Sequence, residues 1–249
     1  MTSIVITGAN GFIGRLLAAR LAAGNNTVVN GREVSVEKLV QVDRFIPAEP
    51  KDGDEWVEGD VGDLVAERPE IFTGADLVIH LASAVSGECE ADLDLGLNAN
   101  LFAGVALGRC LAATPHRPML MFSSSLAIYG GTPDMPLPDL IDDSVRPTPQ
   151  NSYGAQKLML ETFYADLARR GLISSRSVRL MTVSVRPGKP NAAASSFLSG
   201  MIREPLQGEP ANVPVSTDLR VVLNSPEGAV NGLMPVSYTH LRAHETLLD

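Results

Sequence analysis

The segment TGANGFIG, residues 7–14, constrains this chain more than any other. It places Gly8, Gly11 and Gly14 between an apolar run, SIVIT, and a helix-like stretch, FIGRLLAARLAAG. A strand that passes through a turn without side chains into a helix presents bare backbone N–H groups and the positive helix end to one point, where a pyrophosphate is held. Gly8 is expected to make the tight turn, Gly11 to let the phosphate approach and Gly14 to let the helix pack on the sheet. Asn10, Phe12 and Ile13 complete the cofactor-facing turn. The rhythm then repeats. KLVQVD, EWVEGD, ADLVIHLAS and PMLMFSSS read as strands, and ADLDLGLNANLFAGVALGRCLAA and NSYGAQKLMLETFYADLARRG carry apolar residues at helical spacing. Such alternation predicts an α/β fold, a doubly wound parallel sheet of the Rossmann type.

Near Pro190 the pattern changes. AAASSFLSGMIREPLQG reads as one helix, and NVPVS and RVVLN as short strands. Residues 1–190 are therefore expected to form the nucleotide-binding domain and 191–235 an incomplete smaller C-terminal substrate lobe.

A net charge of −9 over 249 residues argues against nucleic acid, whose phosphates need a basic surface. The amino terminus has no basic region followed by an apolar one, and no apolar run reads as long enough to span a bilayer, so a cytoplasmic protein without a membrane partner is expected. Cys89 and Cys110 are then expected to stay reduced.

A dinucleotide site also needs an acid at the end of the next sheet strand, to hold the adenosine ribose hydroxyls. Asp43, closing KLVQVD, supplies it. A carboxylate there repels a 2′-phosphate, so NAD is favoured over NADP, with Arg44 pulling the other way. Asp60 and Val61, at the end of EGDV, fall where the adenine edge is read.

Tyr153 and Lys157 lie four apart, so both emerge on one helical face. Oxidising an alcohol with a nicotinamide requires the hydroxyl proton to leave, and tyrosine, with a reference pKa of about 10, is a poor base near neutrality. An ammonium beside it favours phenolate, as does a positive nicotinamide ring, so Lys157 is expected to lower the Tyr153 pKa and to hold the nicotinamide ribose. Ser123, Ser124 and Ser125, at the end of PMLMFSSS, offer a hydroxyl to hold the substrate.

Together these residues resemble the extended short-chain dehydrogenase/reductase family, which includes NAD-dependent epimerases and dehydratases, from Ser3 to about Leu223. The resemblance implies a triad of Ser125, Tyr153 and Lys157. It implies that Leu81, Ala82 and Ser83 of HLAS line the cofactor while His80 belongs to the core, and that Asn100 supports the active site beside the cofactor. Ala103 stands where that family usually has glycine. VSGECEADLDLG, TPQNSYGAQK and above all SVRPGKPNAAASSFLSGMIREPLQGE are similar to a narrower group, the D-erythronate dehydrogenases. That likeness implies oxidation of C2 of a four-carbon sugar acid, with Ser125 at the substrate, Lys189 and Arg186 offering positive charge to such an anion and Asn191, Ser195 and Ser196 offering hydrogen bonds; Arg186, immediately before a proline at a strand end, is expected to serve as scaffold instead. A homodimer is also compatible with it.

Two rival functions remain. A nucleotide-sugar epimerase would need a larger lobe, and a dehydratase would need an acid and a base after the serine run, where Leu126, Ala127 and Ile128 stand. A catalytically silent NAD-sensing protein would not need the triad. The closing segment PVSYTHLRAHETLLD sets His240 and His244 at metal-ligand spacing. Residues 236–246 also match the in-frame translation of a transposase adapter used in sequencing libraries. On that reading residues 236–249 are a non-native tail, no metal is bound, and the chain ends before its smaller lobe is complete, with poor activity or stability as the consequence.

Overall fold

A computed structural model describes residues 2–234 apart from 25, 30, 51–54, 143, 190 and 191; the expectations for the histidine pair and the closing tail lie outside these residues, as does Asn191. Strand β1 (Ser3–Thr7) runs through the glycine turn into helix α1 (Phe12–Ala22). A hairpin, β2 (Thr27–Val29) against β3 (Arg32–Val34), takes up the long connection to β4 (Lys38–Asp43) and β5 (Glu55–Glu58). Helices α2 (Val61–Glu67) and α3 (Glu70–Thr73) lead to β6 (Leu77–His80) and α4 (Ser86–Ala91). A longer helix follows, in which α5 (Leu93–Gly96) passes through a π segment (Leu97–Phe102) into α6 (Ala103–Ala112). Then come β7 (Met119–Ser125), α7 (Ser152–Arg169), β8 (Ser174–Leu180), β9 (Thr182–Val183), α8 (Ser196–Leu206), β10 (Leu223–Asn224) and α9 (Pro226–Leu233).

Six strands form one parallel sheet in the order β5-β4-β1-β6-β7-β8. The side chains of one strand alternate between its two faces, and here both faces are covered. Ile4 and Ile6 of β1, Leu77 and Ile79 of β6 and Met119 and Met121 of β7 join Leu17 and Leu21 of α1. Val5, Val78, Leu120 and Phe122, one step out of phase, join Leu107 and Leu111 of α6 and Leu160 and Tyr164 of α7. Residues 4–6 of β1, 77–79 of β6 and 119–122 of β7 are apolar at every position because neither face meets water there. Strand order reverses beside β1, and the crevice at the carboxyl ends of β1 and β6 is where such a sheet receives a dinucleotide.

Four features differ from the sequence reading. Strand β8 is not announced by an apolar run, since SSRSVRL is polar, yet it extends the sheet by pairing with β7 from Met119↔Ser174 to Ser125↔Leu180. NVPVS forms no strand, and Pro214 removes one ladder donor there. The third is α9, within the segment assigned to the smaller lobe. Its N-cap Ser225 accepts from the Gly228 N–H at 2.9 Å and Pro226 occupies the first turn, where a missing N–H costs nothing. Val230, Leu233 and Met234 then return to the layer of α1, so this helix completes the nucleotide-binding core. Leu93–Ala112 is, by length and composition, long and apolar enough to cross a membrane, contrary to the sequence expectation. It is a core helix here, with Leu107 and Leu111 fully buried against the sheet and α7.

Candidate active site

The first cleft, about 250 Å³, opens at the glycine turn. Gly8 has φ +71°, and a Cβ there would stand 2.7 Å from the Ala82 backbone nitrogen; at Gly14 a Cβ would stand 2.2 Å from the Gly8 carbonyl oxygen. Side chains at either position would close the turn. Gly11 caps α1 with no side-chain hydrogen bond, which leaves first-turn N–H groups for an anion. Gly8, Gly11, Phe12, Ile13, Gly14, Asp43, Arg44, Asp60, Val61, Leu81, Ala82 and Ser83 all line this cleft. The Asp43 carboxylate is fixed at its rim, Oδ2 accepting from the Asn10 N–H at 2.9 Å and Oδ1 from the Phe45 N–H at 3.2 Å. Asp60 caps α2 by accepting from the Gly62 N–H at 3.3 Å. The bare turn, the uncapped helix and the acid at the end of β4 together fit a dinucleotide such as NAD.

Asn10 and Asn100 stand differently from the cofactor contacts expected of them. Neither is among the residues lining the cleft. The Asn10 side chain donates to the Phe45 carbonyl at 2.7 Å and accepts from Arg15 Nε at 2.9 Å, so it braces the rim that carries Asp43. Asn100 is buried behind the wall. Its Oδ1 accepts from the Ala84 N–H at 2.7 Å and the Ser83 hydroxyl at 3.0 Å, and its Nδ2 donates to Gln156 Oε1 at 2.8 Å. It thereby sets the turn after β6, which lines the cleft, against α7.

Ser125, Tyr153 and Lys157 come together where β7 ends against the first turns of α7. Ser125 caps the short turn Leu126–Ile128, its Oγ accepting from the Ala127 N–H at 3.1 Å. Asn151 caps α7 through the Gly154 N–H at 2.7 Å, which starts the helix at Ser152, one residue before Tyr153. Burial pushes the Tyr153 phenol up to about 12, against a smaller lowering by the neighbouring Ser125 and Ser83. Lys157 is 2% exposed, donates from Nζ to the Ser123 carbonyl at 2.8 Å, and lies 5.4 Å from the centre of the Tyr153 ring. Burial brings its ammonium down to about 7. The lowering of Tyr153 expected from the sequence is thus not found within the protein's own groups, because desolvation acts against both charged forms.

Beneath these groups runs a polar chain that sequence reasoning missed. Glu161, one turn beyond Lys157, receives Arg179 Nη2 of β8 at 2.8 Å, and Arg179 Nη1 reaches the Tyr129 hydroxyl at 2.6 Å. The signal was the same-face spacing of Tyr153, Lys157 and Glu161. His80, as expected, is a core residue: it bonds Thr7 Oγ1 at 2.7 Å, stacks on Phe122, and is held down to about 3 by burial and then by Lys157.

A second cleft, about 460 Å³, adjoins the first and shares Phe12, Ile13, Ser123, Leu180 and Arg186 with it. Ser125 and Tyr153 lie in it, and α8 brings Ser195, Ser196 and Ser199. Lys189 lines neither cleft and is exposed to solvent. Arg186, read from the sequence as scaffold, lines both. Among the described residues no group of three or more His, Cys, Asp or Glu is placed to hold a metal.

A family model described as the NAD dependent epimerase/dehydratase family matches residues 4–222. The chain belongs to this family. The D-erythronate dehydrogenase of Cupriavidus necator is 43% identical over 233 residues, covering 93% of this chain and 71% of that protein. That of Haemophilus influenzae is 39% identical over 236 residues, covering 91% of this chain and 69% of that protein. Among solved structures, the nucleoside-diphosphate-sugar epimerase from Agrobacterium tumefaciens superposes with a TM-score of 0.81 at 36% identity, over 94% of this chain and 68% of that one. This member of the NAD dependent epimerase/dehydratase family is an NAD-dependent dehydrogenase with a Rossmann sheet.

Proposed function

We propose that the chain oxidises the C2 hydroxyl of D-erythronate to 2-dehydro-D-erythronate. The observation that carries this reading is the seam between the two clefts, where Ser125 and Tyr153 face a second cleft whose polar lining, set among apolar side chains, is a group of hydroxyls, the Asn151 amide and one guanidinium. The names of the relatives at 43% and 39% identity support the same substrate. NAD, when bound, supplies the acceptor for the two electrons and the hydrogen that leave C2. Ser125 Oγ holds the substrate hydroxyl and Tyr153 Oη takes its proton. Lys157, pinned to the Ser123 carbonyl, brings positive charge to the phenol, which would otherwise keep its own proton at neutral pH. Residues 191–235 serve as the substrate lobe chiefly through α8, whose Ser195 opens onto the second cleft. Asn191 belongs to the same reading, and Lys189 is a solvent-facing residue of it.

The test is a panel of four- and five-carbon sugar acids with NAD, followed by absorbance of the reduced cofactor. Turnover highest with D-erythronate is expected. Turnover of nucleoside diphosphate sugars instead, the reading that the name of the Agrobacterium relative would favour, overturns the proposal; so does cofactor binding without turnover of any acid.

A further inference from the structure

We infer that Arg186 is the residue that receives the substrate's carboxylate, an inference that rests on the sugar-acid reading above. In a 2-hydroxy acid the carboxylate carbon is bonded directly to the carbon being oxidised. A cation that holds it must therefore lie at the seam of the cofactor and substrate clefts, beside Ser125 and Tyr153. Arg186 is the charged side chain lining both clefts. Lys189, the other cation that the sequence offers for this task, is exposed and lines neither.

The surroundings of Arg186 leave it unneutralised. Its guanidinium carbon lies 5.8 Å from the centre of the Phe12 ring, at the start of α1, and among the described residues its guanidinium has no hydrogen-bond acceptor. Burial and the nearby Arg203 both disfavour its charge. Arg203 itself is paired with Glu204, so the uncompensated cation of this corner is Arg186. A partly buried guanidinium without an anion is costly, and its planar fork matches a carboxylate.

Its backbone is also held. The Arg186 N–H donates to Ser199 Oγ at 2.9 Å, and its carbonyl accepts from Arg203 Nη1 at 2.8 Å. Both partners come from α8 and are buried, with Ser199 4% and Arg203 8% exposed. Helix α8 thus clamps an otherwise irregular segment on both sides of one residue, which fixes where that side chain starts.

The test compares the wild-type chain with Arg186→Met, Arg186→Gln and Arg186→Lys. The readouts are KM and kcat for D-erythronate, the Kd for NADH by fluorescence and the thermal melting point. Loss of a charge-assisted pair should raise KM for D-erythronate about thirtyfold or more in Arg186→Met and Arg186→Gln, with less effect in Arg186→Lys. The Kd for NADH should stay within about threefold, which also shows that the variants are folded. A Kd for NADH that weakens in step with KM would assign Arg186 to the cofactor pyrophosphate and overturn the inference. A KM unchanged in these variants, beside a wild type that does oxidise D-erythronate, would overturn it alone. A wild type that oxidises only uncharged or nucleotide-linked sugars would overturn the sugar-acid reading together with it.

Discussion

Tyr153 and Lys157 sit in surroundings that oppose the charge each would use. The phenol at about 12 and the ammonium at about 7 both reflect lost water, and the pair becomes useful only where further positive charge joins it, as at a nicotinamide site. Tyr153→Phe should lower kcat by about 10² to 10⁴, the usual worth of a positioned acid or base, while the NADH affinity changes little because the phenol sits beside the substrate. Stopped-flow turnover alongside a fluorescence titration checks this, and retained turnover would remove Tyr153 from the chemistry. At the other end of the cleft, Asp43 should set cofactor choice. A carboxylate facing a 2′-phosphate costs on the order of 1 to 3 kcal/mol, so kcat/KM should favour NAD over NADP by about tenfold to a hundredfold. Asp43→Asn should shrink that ratio, and equal use of both cofactors by the wild type would mean that Arg44 dominates. The spacing of Tyr153 and Lys157 was legible because a helix fixes which side chains share a face. The contrast between Arg186 and Lys189 was not, since residues three apart in an irregular turn can point anywhere, and only the clamp from α8 decides it.

Two elements carry predictions of their own. Strand β6 ends in His80, buried and neutral, with its pKa held at about 3 against an unfolded value of 6.5. Below pH 6.5 the unfolded chain binds a proton that the folded chain refuses, so stability present above pH 6.5 is lost as pH falls toward 3. The slope is about 1.4 kcal/mol per pH unit for one such proton. His80→Gln should flatten this acid limb in urea unfolding measured between pH 6 and pH 4, even if it lowers stability at pH 7. An unchanged limb would mean that other groups govern it. Helix α7 is tied to β8 by Glu161 and Arg179, whose side chains are 3% and 10% exposed. Removing one partner strands a buried charge, so Arg179→Met should cost about 3 to 5 kcal/mol, checked by chemical denaturation. At this scale the six-stranded sheet was legible from its apolar strands and helical spacings, except where a strand is polar. Ser174–Leu180 forms through its pairing with β7, a long-range cause that no local pattern reports. Helix α9 was missed for a related reason: its eight residues gain their apolar face only by meeting α1.

Across the whole molecule, function depends on two clefts meeting at the carboxyl ends of the central strands. The cofactor side follows from β1, β4 and β6 ending in Gly8, Asp43 and the 81–83 turn, all within one sheet. The other side depends on α8, whose start brings Ser195, Ser196 and Ser199 to the cleft that Ser125 and Tyr153 also line. This half was less legible, because the approach of α8 is set by contacts from Ser199 and Arg203 to a backbone far from them in sequence. On the proposed function, the hydrogen removed is the one on the carbon next to the carboxylate. The most direct measurement is transfer of label from D-erythronate carrying deuterium at C2. The reduced cofactor should contain one deuterium per turnover, read by mass spectrometry. Reduced cofactor without deuterium would show oxidation at another carbon, and would contradict the placement of C2 at the seam between the clefts.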